Sequence, residues 1–335
     1  MNSRYSDLQP AADYVGGGDS SASSQETTGG YGGSSPGSGY AASQSPSSPY
    51  AAPGAALASS ITSGLGNGVN LQPSYAPNAN VDLGWPLMLQ QTKIRSVRIE
   101  IEPGQETNAQ RWIREAVGNG YTVIATYHNF TALGSDNDTE LMEAADWWVT
   151  NYATLRSSGA FTINLMNEWG SHGITAHDFA TAYSQALLQL RTVYSGPVVI
   201  DLPGYAQEAQ VAALAVSGRN NKTIADRNVI LSMHIYPEAW NSQGGGRGLA
   251  TVDLDELEAT GLGCMIGEFG DSGKTQTTKW QAIVAYAKQK GWPVFGWAWN
   301  GDGQGMNMIK PQYGSLPTGQ QYTQTGYFNT IYNLL

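Results

Sequence analysis

A single cysteine, Cys264, stands among the 335 residues, so no intrachain disulfide and no cysteine-built zinc site can form. Its place in Leu262-Gly263-Cys264-Met265-Ile266 predicts a buried, inert thiol. Charge is also scarce. Charged residues make up 13% of the chain, where soluble domains average about 25%. The few charges lean acidic, with 17 Lys and Arg against 27 Asp and Glu for a net charge of −10. Nucleic acid, whose phosphates call for basic contacts, is excluded as a partner, and so is an anionic membrane surface. No apolar run approaches the roughly 18–20 residues of a membrane span. The opening Met1-Asn2-Ser3-Arg4-Tyr5 lacks the basic-then-apolar pattern of a secretory signal. A polar but weakly charged surface, with 18 Tyr and 10 Trp in the chain, suits a neutral ligand.

Residues 1–60 are dominated by Gly, Ser, Ala and Pro, and their only charged residues are Arg4, Asp7, Asp13, Asp19 and Glu26. Such a segment has too little apolar area to offset an ordering cost of about 1–2 kcal/mol per residue, and a disordered tail is expected there. From residue 61 to 335 short apolar runs alternate with amphipathic stretches about eight times. The expected strands are Gly68 to Leu71, Ser96 to Ile101, Thr122 to Tyr127, Phe161 to Met166, Val198 to Ile200, Val229 to His234, Cys264 to Gly267 and Val294 to Ala298. Helices are expected at Asn108 to Val117, Thr139 to Leu155, Ala176 to Val193, Gln276 to Lys288 and Tyr327 to Leu335. This alternation predicts an α/β fold of the (β/α)8, or TIM-barrel, type. The rival open sheet would carry a Gly-rich phosphate turn after its first strand, where the chain reads Gln72-Pro73-Ser74-Tyr75.

Barrels of this kind place their chemistry where strands end. Arg98 lies in strand 2, His128 ends strand 3, Asn167-Glu168-Trp169 ends strand 4, His234-Ile235-Tyr236 ends strand 6, Glu268 ends strand 7, and Trp297-Ala298-Trp299 ends strand 8. One glutamate after an apolar strand reads as a salt bridge. Two, on well-separated strands, point into one mouth, and two facing carboxyls are the requirement of glycoside hydrolysis. Other chemistries lack their residues. No Gly-x-Ser-x-Gly elbow joins a strand to a helix, no His-Glu-x-x-His motif occurs, and no lysine lies within an apolar strand to form a Schiff base. Carboxylates at successive strand ends, which an enolase-type metal site needs, are not expected. His172 and His177 read as solvated structural residues, Asp136-Asn137-Asp138 as a surface loop, and Trp147, Trp148 and Trp280 as helix packing.

The ordered set of Arg, His, Asn-Glu, His-x-Tyr, Glu and Trp on successive strands resembles glycoside hydrolase family 5, the cellulase and mannanase family, over about residues 64–335. The resemblance implies Glu168 as acid/base and Glu268 as nucleophile. It implies that Asn167 holds the 2-hydroxyl of the cleaved sugar, Arg98 keeps Glu268 ionised, His234 orients the acid/base and Tyr236 touches the nucleophile. His128 would bind the same sugar, above a platform formed by Trp299 or, second, Trp297. Trp169 and Trp240, beside the mouth, are further sugar contacts. The activity so implied is a retaining endo-β-1,4-glycanase working without cofactor or metal as a monomer. Glucan is expected as its polymer and mannan as the alternative, with an extracellular location inferred from the substrate class. A non-catalytic carbohydrate-binding barrel is the reading from another class. Asn129, Asn137 and Asn221 open formal glycosylation triplets.

Overall fold

The computed structural model describes residues 62, 64–76, 80–218 and 223–335; the expected tail and Asn221 lie outside the described residues. Eight strands carry the architecture: β1 (Gly68–Leu71), β2 (Ser96–Ile101), β3 (Thr122–Tyr127), β4 (Thr162–Asn164), β5 (Val198–Asp201), β6 (Val229–Ile235), β7 (Gly263–Phe269) and β8 (Val294–Asn300). They close into one barrel in sequence order, β1 pairing with both β2 and β8, and every pair is parallel. Outside them lie α1 (Glu106–Gly118), α2 (Asp138–Arg156), α3 (Ala176–Leu190), α4 (Ala209–Ser217), α5 (Thr251–Glu258), α6 (Trp280–Gln289) and α7 (Phe328–Tyr332).

Apart from Thr122 and Thr162, which open β3 and β4, the strands are buried throughout, as a parallel sheet covered on both faces must be. Their period of two then sorts side chains into two cores. Val97, Ile99 and Ile101 of β2, with Leu231 and Met233 of β6, join the large core under the helices. Ile124, Val199, Ile230, Met265 and Phe295 form a small separate core inside the barrel. The remaining inward positions, closer to the carboxyl ends, are polar: Asn70, Arg98, Glu100, Asn164, Asp201, Ser232 and His234 are all buried. The barrel is thus apolar at its floor and polar beneath its mouth.

Local chemistry sets the helix starts. The Asn137 side chain accepts from Thr139 N–H at α2, and Thr175 Oγ1 accepts from Asp178 N–H at α3. α1 begins two residues before its expected start at Asn108, with Glu106 in its first turn accepting the Gly104 N–H and the Trp147 indole N–H at 2.9 and 2.6 Å. α6 starts later than expected because Thr277 and Thr278 give their N–H groups to the Pro237 carbonyl. β7 and β8 run two residues past their expected ends. Cys264 is buried, with burial pushing its thiol well up. Among the described residues no helix is long and apolar enough to cross a membrane.

Candidate active site

Arg98 organises the polar layer. Its guanidinium is fully buried and uses three nitrogens on six acceptors: Nε on Asn164 (3.0 Å), Nη1 on Asn70 (3.0 Å), Glu100 (2.5 Å) and Glu268 (2.9 Å), and Nη2 on Asn167 (2.5 Å) and Asp201 (3.3 Å). A rigid planar fork can serve six partners on five strands and one strand end, which a point charge could not do.

Glu268 reaches this layer through a break in the ladder. Met265 faces the inner core and Ile266 the outer one, so strict alternation would turn Glu268 outward. The β6–β7 register instead slips between Met233 and His234, pairing Met233 with Ile266 and His234 with Glu268. Gly267 is the extra residue. The bulge re-aims the next side chain into the mouth, while Phe269 returns to the outer layer and stacks on Trp280 of α6. Glu268 accepts Arg98 Nη1–H on Oε1 and the Tyr236 hydroxyl on Oε2, at 2.9 and 2.6 Å. Burial raises its carboxyl, but the charges of His234 and Arg98 and the Tyr236 hydrogen bond outweigh it, and its pKa lies below the usual value.

Glu168 follows β4 with a left-handed backbone, φ 48°, unusual for a residue other than glycine. Its carbonyl accepts the Gly134 N–H at 2.8 Å and its own N–H goes to Asp201 Oδ2 at 3.1 Å. His234 Nδ1 lies 2.7 Å from Glu168 Oε1 and 3.6 Å from Glu268 Oε2. One oxygen from each glutamate and one His234 nitrogen all lie within 4.8 Å of one another. These atoms are already engaged by Arg98, Tyr236 and each other, so the group is a hydrogen-bonded array and not a free set of metal ligands. Burial pulls the His234 imidazole down, yet Glu268, Asp201 and Glu168 raise it to about 9. His128 behaves alike: Nδ1 is 2.6 Å from Glu102 and Nε2 is 3.5 Å from Glu100, and against its burial they raise it to about 9.

Arg98, His128, Asn167, Glu168, His234, Tyr236 and Glu268 therefore come together. The tryptophans divide. Trp299, expected as the platform, is fully buried, donates its N–H to the Leu83 carbonyl at 2.9 Å and packs edge-on to Phe328. It has no face left for a ligand. The β1–β8 register explains why: Val69 pairs with Gly296 but Leu71 with Asn300, so extra residues bulge from β8 and alternation cannot be carried through it. Trp297 retains 9% exposure, hydrogen-bonds Asp302, and its carbonyl lies beside Gly270, which also borders Tyr236. Trp169 is a second correction. The chain turns through Glu168 and Gly170, both at positive φ, and sends the indole outward onto Phe179 and Tyr183 of α3, its N–H on the Asn137 carbonyl. Trp240 is 39% exposed on a two-residue strand paired with Arg247–Gly248. His172 corrects the solvated reading: it is half-buried, with Nδ1 2.5 Å from the buried Glu208. Trp148 and Trp280 pack as expected, and Asn129 and Asn137 use their side chains on their own loops.

Sequence reasoning missed Glu100, Glu102 and Asp201. Glu100 on β2, Asp201 on β5 and Glu268 on β7 all surround Arg98. The signal was present: Asp201 follows the apolar Val198-Val199-Ile200 just as Glu268 follows its own strand, and Glu100 shares the inward parity of Arg98.

Two carboxylates facing one another over a buried arginine, at the carboxyl end of a closed parallel barrel, define the class of the (β/α)8 glycosidase barrels. The chain belongs to glycosyl hydrolase family 5: the Cellulase (glycosyl hydrolase family 5) profile matches residues 85–303. It is 28% identical over 204 residues to a mannan endo-1,4-beta-mannosidase of Streptomyces lividans, covering 59% of this chain and 51% of that one. To the mannan endo-1,4-beta-mannosidase of Cellvibrio japonicus it is 22% identical over 251 residues, covering 72% and 56%. The chain thus spans about half the length of these relatives. Among solved structures, the catalytic domain of a mannanase from Streptomyces sp. SirexAA-E shares the fold with a TM-score of 0.63 and 18% identity, over 81% of this chain and 85% of that one. The beta-mannanase from Thermomonospora fusca does so with a TM-score of 0.63 and 19% identity, over 81% and 89%.

Proposed function

We propose that the chain is a retaining endo-β-1,4-glycanase acting on mannan, with Glu268 as nucleophile and Glu168 as proton donor. The observation that carries this reading is the spacing of the two carboxylates, whose nearest counted oxygens lie within 4.8 Å. Retaining enzymes hold the two groups about 5–5.5 Å apart, whereas inverting ones leave about 6.5–9.5 Å for a water. Glu268, kept ionised by Arg98, His234 and Tyr236, attacks the anomeric carbon, and Glu168 gives its proton to the departing glycosidic oxygen. Water then cleaves the glycosyl ester as Glu168 takes a proton from it. Asn167, held at 2.5 Å by Arg98, is positioned for the 2-hydroxyl, and Trp297 replaces Trp299 as the aromatic face beneath the sugar. Sugar contact by Trp240 and His128 belongs to the same reading.

Mannan takes precedence over the glucan expected from sequence, because both relatives described above are named mannan endo-1,4-beta-mannosidases. A third, from Caldicellulosiruptor saccharolyticus, is named beta-mannanase/endoglucanase A, which keeps glucan as the second reading. An extracellular location, inferred from a polymeric substrate, belongs to the same reading. The test is sugar release from mannan, glucomannan and carboxymethylcellulose, with product stereochemistry followed by NMR. Retained configuration and at least a tenfold preference for mannan are expected. Inverted product would reject the mechanism, and preference for carboxymethylcellulose would reject the substrate. Glu268→Gln should bind mannohexaose and lose several orders of magnitude in rate.

A further inference from the structure

Asp201, at the end of β5, is fully buried. Its Oδ2 accepts the Glu168 main-chain N–H at 3.1 Å and Arg98 Nη2–H at 3.3 Å, and lies 3.6 Å from His234 Nε2. Asp201 Oδ1, His234 Nε2 and Ser232 Oγ are buried and make no hydrogen bond within the protein. Ser232 stands opposite Asp201 in the β5–β6 ladder. A Cβ at Gly267 would sit 2.2 Å from Ser232 Oγ and 3.0 Å from His234 Nε2, so the bulge residue of β7 is also the one that leaves space for these polar atoms. Buried polar groups without protein partners are uncommon and call for an explanation. One of them is the far nitrogen of the histidine that holds Glu168, and the other two belong to Asp201 and Ser232.

We propose that Asp201 is the positioning residue of the Glu168–His234 pair: its Oδ2 pins the Glu168 main chain and keeps a proton on His234 Nε2, leaving Nδ1 to share its proton with Glu168. This rests on the reading that Glu168 is the proton donor. The pin matters because Glu168 is held at φ 48°, a conformation that persists only where the surroundings enforce it. Asp201 fixes one side of that residue and Gly134 the other. The charge matters because of how His234 is surrounded. At Nδ1 it meets Glu168 and Glu268; at Nε2 it meets Asp201 alone. Arg98 stands behind both Glu268 and Asp201, Tyr236 behind Glu268, and the Tyr183 hydroxyl of α3 feels Asp201. With Nε2 held protonated, the proton shared between Nδ1 and Glu168 Oε1, 2.7 Å apart, is the one passed through Glu168 to the leaving oxygen, and water returns it in the second step.

Asp201→Asn separates the two actions, since the amide oxygen still accepts the Glu168 N–H but carries no charge. The histidine side chains are followed by 15N NMR from pH 5.5 to 10, with His234 assigned by its loss in His234→Gln, and kcat and KM on mannohexaose are measured over the same range. In Asp201→Asn the His234 midpoint should fall by at least 1 pH unit and the alkaline limb of kcat should fall with it, while KM stays within twofold. Asp201→Ala, lacking the pin as well, should lose a further tenfold in kcat at every pH. An unchanged His234 midpoint in folded Asp201→Asn overturns the proposal. Should that variant not fold, the wild type decides: a His234 midpoint at or below 6.5 overturns it, and one well above supports it. The NMR measurement uses no substrate. A wild type that releases no sugar would therefore sink the functional reading and leave the link between Asp201 and His234 separately judged.

Discussion

Replacing Arg98 by lysine keeps the charge in the polar layer and removes the fork. The guanidinium now serves Glu100, Glu268 and Asn70 from one nitrogen and Asn167 and Asp201 from another; a single ammonium on a shorter reach can hold one of these sides. If it settles on Glu100, its distance from Glu268 grows from 2.9 Å to about 5 Å. At an effective dielectric constant of about 20 that forfeits roughly 2 kcal/mol of attraction, equivalent to between one and two pH units on the Glu268 carboxyl. The acid limb of kcat/KM on glucomannan should move up by that amount. Asn167, no longer fixed, should cost at least about tenfold in kcat at neutral pH, because only correctly oriented contacts act on the barrier. The hydrogen bonds lost on the Asn167 side should lower stability by about 2–4 kcal/mol in urea denaturation. Initial rates from pH 3.5 to 9 and the urea midpoint measure all three. An acid limb within 0.3 pH units (roughly 0.4 kcal/mol) of the wild type, in a variant that is folded, would refute the claim that Arg98 keeps Glu268 ionised.

Stability should fall on both sides of neutrality. His234 and His128, raised to about 9, contribute stability that is full below their unfolded value near 6.5 and lost as pH climbs through 9, on the order of 3 kcal/mol each; Glu268, lowered, contributes above its unfolded value and is lost as pH falls through the folded one. A urea midpoint unchanged between pH 6.5 and 9.5 would contradict the histidine assignment. Gly267→Ala has no backbone penalty from a positive φ, yet its methyl meets Ser232 Oγ at 2.2 Å, so kcat should drop at least about a hundredfold, equivalent to roughly 2.7 kcal/mol; wild-type rates would show that the bulge relaxes freely. Trp297→Ala should raise KM for mannohexaose at least about tenfold by removing an aromatic face. Trp299→Ala should act through a cavity instead, lowering stability by about 3–5 kcal/mol, and the pair of KM and denaturation measurements tells the two tryptophans apart.

The barrel was legible because its signal is repeated. Eight apolar runs, each followed by a stretch with helical spacing, leave little choice of architecture, and strands such as Ser96–Ile101 and Thr122–Tyr127 carry their boundaries in their own residues. The two glutamates, the two site histidines, Tyr236 and Asn167 were legible because each sits at or near a strand end, and Arg98 as a charge within an apolar strand. Glu100 and Asp201 escaped although regular strands point them inward; the tryptophans escaped because their placement depends on irregular backbone. Trp297 and Trp299 are two residues apart, and a period of two puts them on the same face; the extra residues of β8 opposite Val69 and Leu71 separate them. Trp169 follows a residue at φ 48°, and no pattern of residue types announces that a glutamate will take that conformation.

The same irregularities that defeat a reading by period are what bring the chemistry together. A regular β7 would carry Met265 and Gly267 inward and Glu268 outward. It is the slip opposite His234 that turns Glu268 back toward Arg98, and the left-handed turn at Glu168 that presents a second carboxyl to the same histidine. The left-handed turn at Glu168 costs conformational energy, and both departures are held by polar contacts from neighbouring segments: Arg98 and Tyr236 on Glu268, Asp201 and Gly134 on Glu168. Removing those contacts should therefore do more than lose a hydrogen bond. It should let the backbone at Glu168 or Glu268 relax toward ordinary strand geometry and carry the carboxyl out of the mouth, so loss of rate and loss of the 4.8 Å spacing should appear together in the same variant.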